Sequence, residues 1–176
     1  MSMKKSLFTT RNLCVAAIIA AFYITLTWSI PFIMYGPLQM RISEALKILP
    51  LFTPAAIPGL FIGVFIANIQ SPFGLADMII GSLATLIAAI MTYYAGKHLK
   101  IREFPKFLIA MIPPVVINAL AIGIMLYVLI PDQADPATYT PIYVMMTSVG
   151  FGQIVACYVL GGILYFSLKK SKINLK

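Results

Sequence analysis

Five apolar runs, at about residues 13–32, 57–69, 75–95, 107–130 and 142–168, take up most of the chain and decide what it can fold into. The longer ones match the roughly 20 residues that a helix needs to cross the hydrocarbon core of a bilayer. Of the 176 residues, 61% are hydrophobic and only 10% charged, with a mean hydropathy of +0.96. A soluble domain is about 45–50% apolar. No water-soluble surface can be made from this composition.

Between the first two runs lies the stretch 39–58, QMRISEALKILPLFTPAAIP, which places Arg41, Glu44 and Lys47 in a chain that is otherwise oil. The three recur at a three-residue step, so on an α-helix they drift slowly around one face with neighbours close enough to touch. Pro50, Pro54 and Pro58 rule out a long regular helix. Residues 41–52 would span only about 18 Å as an α-helix, against a hydrocarbon core of about 30 Å. Counting this stretch, the expected fold is an all-α membrane protein: a compact six-transmembrane-helix bundle with a short, Pro-interrupted second span. It forms one domain over residues 1–176, with no long linker and no internal repeat. Broken helices of this kind are where transporters build binding sites, because helix ends offer backbone groups and a dipole to a polar ligand.

The net charge of +8 would fit a nucleic-acid partner in a soluble protein; here the positions of the charges speak for topology instead. Eleven of the thirteen basic residues form three clusters: Lys4, Lys5 and Arg11 before the first span, Lys97, Lys100, Arg102 and Lys106 between the fourth and fifth, and Lys169, Lys170, Lys172 and Lys176 after the last. With six crossings all three fall on one side, which the positive-inside rule makes the cytoplasm. Both termini are then expected to be cytoplasmic, in a multi-pass protein of the cell membrane, with Asp132 and Asp135 outside. The two basic residues left over are Arg41 and Lys47. The basic lead and the first run resemble a secretory signal, but the run continues to residue 32 with no small-residue cleavage pattern, so the first span is expected to be retained.

Arg41, Glu44, Asn68 and Asp77 come from three spans and, in this topology, all lie at or just below the outer ends. They point to a pocket open to the outside. Each also has an ordinary explanation: Glu44 and Asp77 in the first turns of helices, Arg41 paired with Glu44, Asn68 bonded to nearby backbone. Ionisable groups inside a membrane cost about 2.5–3.5 kcal/mol at the centre, so the set as a whole favours function. Asn118, just beyond a kink expected at Pro113 and Pro114, and Gln153 in the last span extend the candidates, with Tyr143 as a more ordinary interfacial residue. Trp28 reads as an interfacial anchor or as a ring that closes over a ligand. Lys47 lies deeper, where its stem can snorkel, and takes no assigned role.

Ala16, Ala17, Ala20 and Ala21 give the first span a small-residue face, suited to ordinary helix packing or to docking a partner membrane protein; Gly59 and Gly63 form a similar step in the third. Cys14 and Cys157 sit alone in apolar spans and His98 in a basic loop, so no disulfide, metal or cofactor site is expected. No HExxH, CxxC, nucleophile elbow or phosphate-binding loop appears, so neither catalysis nor pumping by ATP hydrolysis is expected of the chain alone.

The sequence QMRISEALKILPLFTPAAIPGLFIG, followed by Asn68, Asp77 and then GSLATLIAA, resembles the queuosine-precursor transporter (QueT) family, substrate-binding S components of energy-coupling factor (ECF) transporters. The likeness is close over about residues 37–89 and weaker around Pro113–Pro114 and Asn118 and along the last span. It implies a six-helix membrane protein energised by an ECF module, a membrane coupling protein plus two ATPases. It also implies that Ala16, Ala17, Ala20 and Ala21 dock on the coupling protein. The implied substrate is a 7-deazaguanine, queuine or a precursor. Glu44 or Asp77 would take its donor edge, Arg41, Asn68, Asn118 and Gln153 its acceptors, and Trp28, Phe73 or Tyr143 would stack on the ring. Outside this reading stand an S component for another vitamin or base, and a small membrane scaffold that binds no ligand.

Overall fold

The structure, a computed structural model, describes residues 9–29, 41–129 and 140–171, and the regular elements among them are all helical. They are α1 (Thr10–Ser29), a 3₁₀ helix (Ile42–Leu51), α2 (Ala56–Ala67), α3 (Gly74–His98), α4 (Glu103–Ala110), α5 (Ile112–Leu129), α6 (Ile142–Ile154) and α7 (Gly161–Lys170). A short 3₁₀ turn, Asn68–Gln70, ends α2, and a π-helical stretch, Val155–Leu160, joins α6 to α7. Among the described residues four helical stretches are long and apolar enough to cross a membrane: Thr10–Ser29, Gly74–His98, Glu103–Leu129 and Ile142–Lys170. Ala56–Gln70 is a shorter apolar helix. Residues 30–40 and 130–139, which include Asp132 and Asp135, and the basic residues at 4, 5, 172 and 176 lie outside the described residues.

Large apolar side chains cover the outside, Phe22, Ile62, Leu83, Val116 and Ile163 among them. With apolar residues on both faces, the inward side of each helix is marked by small and polar residues. On α3 these are Asp77, Gly81, Thr85, Ala88 and Thr92; on α1 they are Ala16, Ala20, Tyr23 and Thr27, at a 4-3-4 spacing. Gly59 and Gly63 of α2 meet that α1 face. A Cβ at Gly59 would fall 2.7 Å from the Ala16 carbonyl oxygen, and one at Gly63 would fall 3.2 Å from the Ala20 Cα, so the two backbones touch.

Pro113 and Pro114 open α5, where a missing N–H removes little from the helix, and the chain breaks at Met111 between α4 and α5. The Ala110 carbonyl, which Pro114 leaves without a helical donor, accepts from the Thr92 hydroxyl of α3 at 3.1 Å.

The 3₁₀ helix lies at the centre, packed by α1, α3, the π-helical stretch and α7. The last helix packs on it at Gly161, where a Cβ would make an ordinary 3.5 Å contact with the Ala45 carbonyl oxygen. The slow drift expected of Arg41, Glu44 and Lys47 around an α-helix is corrected here. Three residues per turn bring i and i+3 into line, and runs of this geometry longer than three or four residues are uncommon.

At the α4 and α7 ends, Glu103 accepts the Tyr165 hydroxyl and pairs with Lys169 at 2.6 Å. These charged side chains are 51% and 43% exposed, so screening leaves the pair weak. Lys169→Ala is therefore expected to lower stability by at most about 1 kcal/mol, read from the thermal unfolding midpoint of the detergent-purified protein.

Candidate functional site

Two polar knots, both strung on the 3₁₀ helix, define the site. In the first, Arg41 Nη1 donates to Asn68 Oδ1 at 2.7 Å and Arg41 Nη2 pairs with Asp77 Oδ2 at 3.1 Å. Asn68 ends α2 and Asp77 lies in the first turn of α3, where the helix dipole favours an acid. The link between them turns at Gly74, whose φ of 56° favours glycine. Ser71 in that link donates to Asp77 Oδ2 at 2.6 Å, and Asn68 Nδ2 donates to the Asp77 backbone carbonyl at 2.9 Å.

The second knot is Glu44, one 3₁₀ turn further on. Its Oε1 accepts the Tyr23 hydroxyl from α1. Its Oε2 pairs with Lys47 and accepts Asn118 Nδ2 from α5 at 3.3 Å. Asn118 also donates to Gln153 Oε1 of α6 at 3.3 Å. Arg41, Glu44, Lys47 and Asp77 are all buried, and their formal charges cancel.

A small, partly open cavity lies among these groups, with room for about one water molecule as the side chains stand, so a ligand must part its walls on entering. Its polar wall is Arg41, Glu44, Lys47, Thr85, Asn118 and Gln153, its apolar wall is Val64, Ile122 and Val149, and Gly81 leaves one side without a side chain. Val64 belongs to a large apolar cluster with Ile48, Leu60, Met111 and Tyr165, and Ile122 and Val149 to a second with Met125 and Met145. The cavity therefore borders both apolar clusters. Chemically it can grip a small molecule by several hydrogen bonds while aliphatic walls hold its faces.

A family model described as QueT transporter matches residues 13–170. The chain belongs to that family. The queuosine precursor transporter QueT of Lactococcus lactis subsp. cremoris (strain MG1363) is 40% identical over 87 residues, which is 48% of this chain and 50% of that relative. The match thus spans half the length of the curated relative. No solved structure matches the chain. Family membership and the four apolar helices make this QueT family member a multi-pass membrane protein.

Every described residue of the cavity falls inside the stretch that the QueT family model matches. Arg41, Glu44, Asn118 and Gln153 line the cavity, while Asn68 and Asp77 hold Arg41 from behind. The three aromatic candidates are not on its walls. Trp28, 41% exposed, donates its indole N–H to the Ala67 carbonyl at 3.2 Å and ties α1 to the end of α2. Phe73 packs on the second apolar cluster, and Tyr143 is 65% exposed. Ala16 and Ala20 are buried against α2, whereas Ala17 and Ala21 face outward.

The sequence reading left Lys47 without a role and did not single out Tyr23 or Ser71. Lys47 is third in the three-residue series, and Tyr23 falls on the same 4-3-4 stripe as Ala16, Ala20 and Thr27, so both had a signal. Ser71 had none, being a hydroxyl in a polar link. Among the described residues no group of three or more His, Cys, Asp or Glu is placed to hold a metal; Cys14 is exposed and Cys157 buried.

Proposed function

We propose that this QueT family member is the substrate-binding S component of an ECF-type transporter and that it takes up queuine or a queuosine precursor, a 7-deazaguanine base. The observation that carries this reading is the buried, charge-balanced polar cluster around a small cavity, in a family whose Lactococcus member is named as a queuosine precursor transporter. A flat, neutral base rich in donors and acceptors is complementary to polar groups around a rim with Val64, Ile122 and Val149 against its faces. The aliphatic walls do the work that the sequence reading gave to aromatic stacking.

In this reading the 3₁₀ helix and α2 act as two short crossings beside the four long ones, giving six spans in one domain. The three basic clusters and both termini then face the cytoplasm. An ECF module, a coupling protein with two ATPases, supplies the energy, and the outward face of α1 carrying Ala17 and Ala21 is the surface for docking it. Ala16 and Ala20 serve the α1 to α2 contact instead.

The test is thermal stabilisation of the purified protein by queuine, its aminomethyl and cyano precursors, guanine and several vitamins. A ligand that binds only the folded state adds about 2.7 kcal/mol at a hundredfold excess over Kd, so a deazaguanine should raise the melting temperature selectively. Stabilisation by a vitamin alone would remove the substrate claim and keep the S-component claim. Silence from every compound would favour a scaffold whose polar core only holds helices together.

A further inference from the structure

We infer that Asp77 Oδ1, beside the open wall at Gly81, is the acceptor kept for the exocyclic amine of the ligand, so that Asp77 and not Glu44 reads that part of the donor edge of a guanine-like ring. This rests on the substrate class proposed above. The two carboxylates differ in what is left to them. Both oxygens of Glu44 are taken, Oε1 by Tyr23 and Oε2 by Lys47 and Asn118. Asp77 Oδ2 is likewise taken, by Arg41 and Ser71. Asp77 Oδ1 is the one buried side-chain nitrogen or oxygen without a hydrogen-bond partner among the described residues, in a residue only 1% exposed. A buried carboxylate oxygen left bare carries a desolvation penalty that native structures rarely leave standing without a use for it.

Asp77 stands behind the cavity wall, and Gly81, which is on that wall, gives its Oδ1 an outlet. Gly81 lies one turn further along α3, on the same face. A Cβ at Gly81 would sit 3.2 Å from Asp77 Oδ1 and 2.8 Å from Asn68 Nδ2, with Ile122 Cδ1 at 3.8 Å. Any side chain there would stand between the oxygen and the cavity. The charge balance narrows the donor further. Arg41 and Lys47 already match Glu44 and Asp77, so a neutral exocyclic amine, the donor assigned to Oδ1, keeps the buried site neutral, whereas an ammonium would add uncompensated charge.

The experiment compares Kd for 7-deazaguanine and for 7-deazahypoxanthine, the same ring without the exocyclic amine, on the full chain in detergent. Wild type is expected to favour the amino base by about tenfold or more, since a site built to receive an N–H rejects the analogue that lacks it. In Asp77→Asn the carbonyl oxygen stays with Arg41 and Ser71, which turns the amide NH₂ towards the ligand and replaces an acceptor by a donor. That variant should bring the ratio to about one or below. Gly81→Ala should do the same, and it carries the test if Asp77→Asn does not fold. Glu44→Gln should weaken both bases alike. The assignment is overturned if the ratio survives in Asp77→Asn or Gly81→Ala, or if it collapses in Glu44→Gln instead. Tight binding with an unchanged ratio would remove only the Asp77 assignment, whereas wild type that binds neither base would remove the substrate class with it.

Discussion

Glu44→Ala is expected to lower the stability of the purified protein by about 3–5 kcal/mol, the loss typical of removing one partner from a buried ion pair. The carboxylate is shared by three donors from three directions: the Tyr23 hydroxyl, the Lys47 ammonium and the Asn118 amide. Removing it leaves the Tyr23 hydroxyl and the Lys47 ammonium buried and unpaired, while Asn118 keeps its bond to Gln153. Lys47 has the largest share of the penalty, because at 1% exposure its ammonium has no route to water. The double variant Glu44→Ala, Lys47→Met should therefore recover most of the loss, since replacing both members of a buried pair by apolar groups is often close to neutral. Thermal unfolding of the four proteins of this cycle in detergent reads the coupling directly. Additive losses would show that Lys47 and Glu44 do not depend on one another.

Gly59→Ala is expected to cost about 1–3 kcal/mol, because the added Cβ meets backbone that cannot rotate away. It would lie 2.7 Å from the Ala16 carbonyl oxygen and 3.1 Å from the Ala16 Cα, so α1 and α2 must separate. That separation also draws Tyr23 on α1 away from Glu44, so ligand affinity should fall along with the melting temperature. Gly150→Ala is the matched control: its Cβ would meet only the Ala119 Cβ, at 3.4 Å, an ordinary contact. There the substitution should be neutral, or stabilising by up to about 1 kcal/mol through the helix propensity gained. Equal behaviour of the two variants in thermal unfolding would show that the contact between α1 and α2 is looser than described.

By itself the sequence determined the membrane setting, the helical class and where the costly charges lie, because burial in lipid acts on composition and run length alone. It also held the three-residue step of Arg41, Glu44 and Lys47, and the grouping of Arg41, Glu44, Asn68 and Asp77 from three spans. The choice of 3₁₀ over α geometry was not legible, because over seven residues the two periods differ too little for spacing to separate them. Packing on all sides by α1, α3, the π-helical stretch and α7 goes with the tighter form.

Nor could the sequence say which aromatics face a cavity. In a soluble protein water sorts polar from apolar faces, but here the outside of the bundle is as apolar as the inside, so Trp28, Phe73 and Tyr143 carried no directional mark. The same absence hid the division of the alanine face, with Ala16 and Ala20 turned to Gly59 and Gly63 and Ala17 and Ala21 turned out. Lys47 shows the limit most plainly. A long, flexible cation can snorkel or pair, and only the tertiary structure, by burying it with Glu44 in reach, decided that it pairs.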